Sequence, residues 1–130
     1  MRSRDRYIFE SSSDVHFVSS TVVGFVPIFE IPAIATIFIE KLRFYLMRGD
    51  FTLLAWVLMP EHFHLLLRMA SQHSVSSAIG NLKRITAREI IAFLESQRRV
   101  ELLERLSAEA AKEPTQDSRV WEYRFDSLVI

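Results

Sequence analysis

Two apolar runs, residues 52–59 and 62–69, stand either side of Pro60-Glu61, where a backbone donor is lost and a turn costs little. The pattern predicts a β-hairpin. Upstream, residues 15–23 alternate imperfectly, with His16, Val18 and Ser20 on one side and Phe17, Ser19 and Thr21 on the other. Their β-branched content favours a first strand. Residues 24–32 read as a loop lined by Phe25 and Phe29, and from Pro32 the period changes. Ile34, Ile37, Phe38, Leu42 and Tyr45 share one helical stripe, and Gly49 is placed to cap the helix C-terminus.

After the hairpin, the polar residues 71–74 supply a turn and an N-cap. Val75, Ala78, Ile79, Leu82, Ile85, Phe93 and Leu94 then mark a second amphipathic helix. Its solvent side is expected to be basic, carrying Lys83, Arg84 and Arg88. Residues 97–113 are rich in charge, with Leu102, Leu103 and Leu106 as the strong apolar positions, predicting a short further helix or a continuation, which Pro114 breaks. Trp121, Tyr123 and Phe125 alternate with Glu122 and Arg124, predicting a final edge strand over residues 120–125. The order β-α-β-β-α-β predicts an α+β, ferredoxin-like antiparallel sheet with its two main helices on one face. The other face is left open.

Composition narrows the classes. With 130 residues and 49% hydrophobic content the chain reads as one domain able to bury a real core. No cysteine is present, which excludes disulfides, thiolate zinc sites and cysteine nucleophiles, and a cytoplasmic location is the default. Lys and Arg total 16 against 16 Asp and Glu, so any attraction to nucleic acid must be local rather than global. The N-terminal MRSRDR is followed by no signal-peptide cleavage pattern. Residues 22–39 are almost uncharged over nearly a membrane-spanning length, but Gly24, Pro27, Glu30 and Pro32 interrupt them, and no membrane span is expected.

The candidate chemistry lies in the hairpin. At about 3.3 Å per strand residue, His62 and His64 point to one face about 7 Å apart at Cα, with Phe63 and Leu65 on the other. One histidine ending an apolar strand is ordinarily a half-buried ring satisfied by a hydrogen bond. Two on one face of a Phe- and Leu-rich strand call for something that compensates their desolvation, and a divalent cation would do so. His16, on the neighbouring strand, and Glu61 are the nearest candidates for a third ligand. Arg84 and Arg88, one helical turn apart, are spaced to grip adjacent phosphates, with Lys83 beside them.

The run AWVLMPEHFHLLL resembles the signature strand of the HUH (His-hydrophobe-His) single-strand DNA transposases, in the form found in REP-associated tyrosine transposases. Its parts are Ala55, Trp56, Val57, Leu58 and Met59, a two-residue turn, then His62-Phe63-His64. Many relatives have Asn where this chain has Glu61. The similarity extends upstream through FVSSTVVGFVPIFEIPAI and downstream through NLKRITAREII, covering most of residues 16–93.

The resemblance implies the same ferredoxin-like fold and a metal-assisted strand cleavage and joining, in which a tyrosine hydroxyl attacks a DNA phosphate to form a phosphotyrosine link. It implies a divalent ion, Mg or Mn, on His62 and His64. It implies single-stranded or hairpin DNA as partner, with Lys83, Arg84 and Arg88 on the helix that approaches it, and a homodimer. In the family the nucleophile lies on a helix beyond the last sheet element, before an Asn-Pro pair. This chain ends before such a helix, so a single transposase-like domain lacking it is expected. Tyr7, Tyr45 and Tyr123 remain as nucleophiles, of which Tyr123 is the candidate, although its alternation with Trp121 and Phe125 assigns it to packing. The alternative is a catalytically inactive DNA-binding remnant of the same fold, and a weaker one is a His-pair metalloprotein unrelated to DNA.

Overall fold

The computed structural model describes residues 14–112 and 118–130. Four strands, β1 (Val15–Thr21), β2 (Phe51–Leu58), β3 (His62–Met69) and β4 (Asp126–Val129), form one antiparallel sheet in the order β2-β3-β1-β4. Helices α1 (Pro32–Arg48), α2 (Val75–Ser96) and α3 (Val100–Ala110) complete the α+β architecture. This is the expected β-α-β-β-α-β order, with α3 inserted before the last strand.

Local chemistry explains the boundaries. Pro32 occupies the first turn of α1, where its missing N–H has no intrahelical partner to lose. Gly49 ends the helix at φ 92°, and its N–H donates to the carbonyl of Leu46. Ser74 caps α2 by accepting from the Ser77 N–H at 3.1 Å. In the hairpin turn, the Met59 N–H donates to the His62 carbonyl at 2.7 Å. The carbonyls of Pro60 and Glu61 accept from Phe29 and Val22, which fastens the turn to the 3-10 turns Val23–Phe25 and Ile28–Glu30. Among the described residues no helix is long and apolar enough to cross a membrane; the almost uncharged stretch 22–39 is shared between these turns and the start of α1.

Strand parity divides the sheet into a packed face and an open one. Phe63, Leu65, Leu67 and Met69 of β3 are buried together with Val18 of β1, Ile34, Phe38 and Leu42 of α1, and Ile79, Leu82 and Ile90 of α2. Phe63 is the keystone. Its ring centroid lies 5.0 Å from Phe38 and 5.2 Å from Trp121, and Phe29 completes the cluster at 5.7 Å from both of those residues. Because Phe63 separates His62 from His64, this aromatic cluster holds the backbone on which both histidines stand.

The last strand begins immediately after the stretch that alternation indicated, six residues later than expected. Val120 and Trp121 are buried, Trp121 forms an isolated bridge to Val22, and the carbonyls of Glu122 and Arg124 accept from the Lys83 ammonium at 2.8 and 3.3 Å. A side chain therefore satisfies backbone groups that a ladder would otherwise use. β4 begins only at Asp126.

Candidate functional site

His62 and His64 project from the open face of β3, and their rings meet. Their Nε2 atoms are 3.1 Å apart and their ring centroids 4.7 Å apart, with the planes inclined at 76°. Behind each ring stands a partner at Nδ1. Glu61 Oε1 lies 2.9 Å from His62 Nδ1, and Ser19 Oγ lies 2.5 Å from His64 Nδ1. The sheet register makes the second contact, because β1 pairs Ser19 with His64 and Thr21 with His62. Phe17 stacks on the His64 ring at 5.3 Å and 18°.

These partners constrain the protons. An ionised carboxylate only accepts, so a neutral His62 ring facing Glu61 carries its proton on Nδ1 and has its lone pair at Nε2. His64 Nε2 can donate to that lone pair while Nδ1 accepts from the Ser19 hydroxyl. It can equally turn its own lone pair inward while Nδ1–H donates to Ser19 Oγ. Both tautomers keep every hydrogen bond behind the rings, so the choice between them leaves the contacts to Glu61 and Ser19 in place. Burial, followed by repulsion from His62, lowers the His64 pKa below the ordinary imidazole value and favours its neutral form.

Neither candidate third ligand faces the Nε2 atoms. His16 is paired with Leu67 and buried on the core side, so strand parity turns it away from the pair. Glu61 sits behind His62 as an orienting acceptor. Among the described residues no group of three His, Cys, Asp or Glu side chains is arranged to hold a metal ion.

A model of the family described as "Transposase IS200 like" matches residues 12–105, most of the chain. The chain belongs to the IS200-like transposase family. The fold is also that of a REP-associated tyrosine transposase solved bound to a REP hairpin, with a TM-score of 0.64 and 15% identity. That match covers 100% of this chain but only 62% of the other. A putative transposase from Deinococcus radiodurans R1 aligns with a TM-score of 0.62 and 18% identity, over 100% of this chain and 86% of its own. No curated protein matches the sequence.

In this IS200-like chain the basic helix divides differently from the expectation. Lys83 is not on the solvent face. It is 8% exposed, bound to the carbonyls of Glu122 and Arg124, with its ammonium 5.5 Å from the centre of the Phe125 ring. On the helix Lys83 adjoins the buried positions Leu82 and Thr86 at the margin of the core-facing stripe, and residues 121–125 cover that margin. Arg84 and Arg88 are exposed, Arg84 donating to Asn81 Oδ1 at 3.0 Å.

The tyrosines separate likewise. Tyr45 is buried at 9% exposure, and Tyr7 lies outside the described residues. Tyr123 does not pack as its alternation indicated. It is 55% exposed and lines a groove beside α2 with Arg84, Arg88 and Arg119; that lining includes neither His62 nor His64. Sequence reading missed Ser19 and Phe17 as neighbours of His64, although their shared parity on β1 held half the signal. Arg119 carried no periodic signal at all.

Proposed function

We propose that this protein acts on single-stranded or hairpin DNA as a transposase, with His62 and His64 holding a divalent cation, Mg or Mn in function, at the scissile phosphate. One observation carries the reading: two imidazole Nε2 atoms converge at 3.1 Å while both Nδ1 atoms are held from behind. Metal–nitrogen bonds of about 2.1 Å at angles of about 90–110° need a nitrogen–nitrogen span of about 3.0–3.4 Å, and the pair falls inside it. The donor set thus fits a cation, with its remaining positions open to phosphate oxygens, water or further ligands. When bound, the cation supplies positive charge where negative charge grows on the phosphoryl oxygens. The chain's own residues supply orientation. Glu61 and Ser19 fix the rings, Phe17 shields His64 from water on one side, and the cluster around Phe63 keeps the strand rigid.

The partner reading draws on family membership and on the relative bound to a REP hairpin. A cytoplasmic location accords with work on DNA. A second reading, DNA binding without strand transfer, is favoured by the tyrosines, since among the described residues none lines a site with the histidine pair.

We assign the protein to a homodimer. β2 is an outer strand of the sheet, and Leu54, Trp56, Val57 and Met59 on or beside it are all exposed. An apolar outer strand with unpaired backbone groups is a template for another strand.

End-labelled hairpin DNA incubated with the protein and Mn²⁺, then run on a denaturing gel, separates the readings. A covalent adduct that disappears in His64→Ala supports the transposase. Binding with no adduct supports the second reading, and failure to bind single-stranded or hairpin DNA overturns both.

A further inference from the structure

Along one side of α2, Gly80, Arg84, Ala87, Arg88, Ile91 and Glu95 recur at helical spacing and form one wall of a groove of about 700 Å³. From Gly80 to Glu95 the stripe climbs fifteen helical steps, or about 22 Å at ~1.5 Å each. The opposite wall runs from Ser118 to Phe125. It is fixed rather than draped: Trp121 Nε1 donates to Thr86 Oγ1 at 3.0 Å, and Lys83 holds the Glu122 and Arg124 carbonyls. Ala87, Ile91 and Phe125 give the interior apolar character, Arg84, Arg88 and Arg119 put a guanidinium on each wall, and Tyr123 offers an exposed ring.

We propose that this groove is a second DNA subsite that seats a short unpaired stretch of the substrate strand, with phosphates on Arg84, Arg88 and Arg119 and a base stacked on Tyr123. The proposal rests on the DNA reading above and adds to it where the strand is gripped. Charge complementarity selects the occupant. The walls carry Arg84, Arg88, Arg119 and Lys83 against Glu95 and Glu122, a net of four minus two, in a chain whose total charge is zero. Lys83 is spent on carbonyls, leaving the three arginines to meet an anion. A polyanion alone would not need the apolar floor or the exposed phenol ring, whereas nucleotides out of a duplex present both phosphate and an aromatic face.

The position has a consequence for the substrate's path. α2 packs on the sheet face that buries Phe63 and Leu65, while His62 and His64 project from the other. Grip and chemistry therefore lie in different layers, and a strand reaching both passes around the sheet rather than across it. Tyr123 then serves as a stacking platform, which requires its ring and not its hydroxyl.

Fluorescence anisotropy of a labelled single-stranded oligonucleotide in EDTA tests the subsite without metal. Replacing Arg88 and Arg119 together by Ala should weaken binding at least tenfold and reduce the log–log salt slope by about 1.4, at ~0.7 per phosphate. Tyr123→Ala should weaken binding about tenfold with little change in slope, and Tyr123→Phe should bind as the wild type does. Arg43→Ala, on the exposed side of α1, serves as the surface-arginine control and should change nothing. Thermal melting checks that each variant folds. Wild-type affinity in both the double-arginine variant and Tyr123→Ala would overturn the subsite while leaving the DNA reading standing. A duplex of the same length that binds as tightly, with the same losses, would overturn the assignment to an unpaired strand. A wild-type protein that binds no DNA would end the DNA reading and the subsite together.

Discussion

Ser19 Oγ stands 2.5 Å from His64 Nδ1, on the strand neighbouring the one that carries the histidine pair. That contact makes a main-chain register decision into a property of the site, because a one-residue slip of β1 would turn Ser19 to the core. Removing a hydrogen-bond partner behind a ligating imidazole ordinarily costs about 10–100-fold in metal affinity. Ser19→Ala should therefore lower Mn²⁺ affinity about tenfold, measured by competition with a chelating indicator, while Ser19→Thr should retain most of it. Equal affinities for wild type and Ser19→Ala would remove Ser19 from the site.

Lys83 should behave as a structural residue. Its ammonium holds two carbonyls, and hydrogen bonds to charged groups are worth about 1.5–3 kcal/mol each in net stability. Lys83→Met is expected to lower unfolding stability by about 2 kcal/mol in urea titrations. A variant as stable as wild type but weaker in salt-sensitive DNA binding would return Lys83 to the role its charge first indicated.

What the sequence made legible was local. Pro60-Glu61 between two apolar runs, the stripe Ile34, Phe38, Leu42 and Tyr45, and Gly49 as a cap each follow from chemistry within a few residues, and all are found in the structure. The misreadings are tertiary. Lys83 is buried by residues some forty positions away, and the same long-range contact keeps residues 122–125 out of the sheet. His16 was correctly grouped with Val18 and Ser20, but only pairing with β3 decides which face of β1 looks toward the histidine pair. Tyr123 shows the limit of alternation: Trp121, two residues before it, is in the core, yet the tyrosine is exposed because the stretch is not a strand.

Asp50 should set part of the acid limit of stability. Its buried carboxylate receives two hydrogen bonds from Arg48, at 2.8 and 2.7 Å, and this pairing holds its pKa below the usual carboxylate value. The folded state then binds fewer protons than the unfolded one. The contribution is present above the ordinary value of about 3.9 and is lost as pH falls through the lower, folded value. Between pH 5 and pH 3 the melting temperature of Asp50→Asn should fall less than that of the wild type; parallel curves would show that the pair adds no pH-dependent stability.

The outer edge of β2 should carry the dimer. Light scattering at micromolar concentration is expected to give twice the 15.1 kDa chain mass, and Leu54→Lys with Val57→Lys should return it to one chain by placing charge on the exposed strand. A monomeric wild type, or a dimer untouched by both lysines, would discard this edge as the interface.

The convergence of His62 and His64 is tested most directly by titrating Mn²⁺ into the protein by calorimetry at pH 7.5, beside His64→Ala. One ion per chain is expected to bind the wild type, and the variant should lose at least tenfold in affinity, since a single remaining imidazole cannot chelate. Equal heats from the two proteins, or none from either, would contradict the assignment of this pair as a metal site.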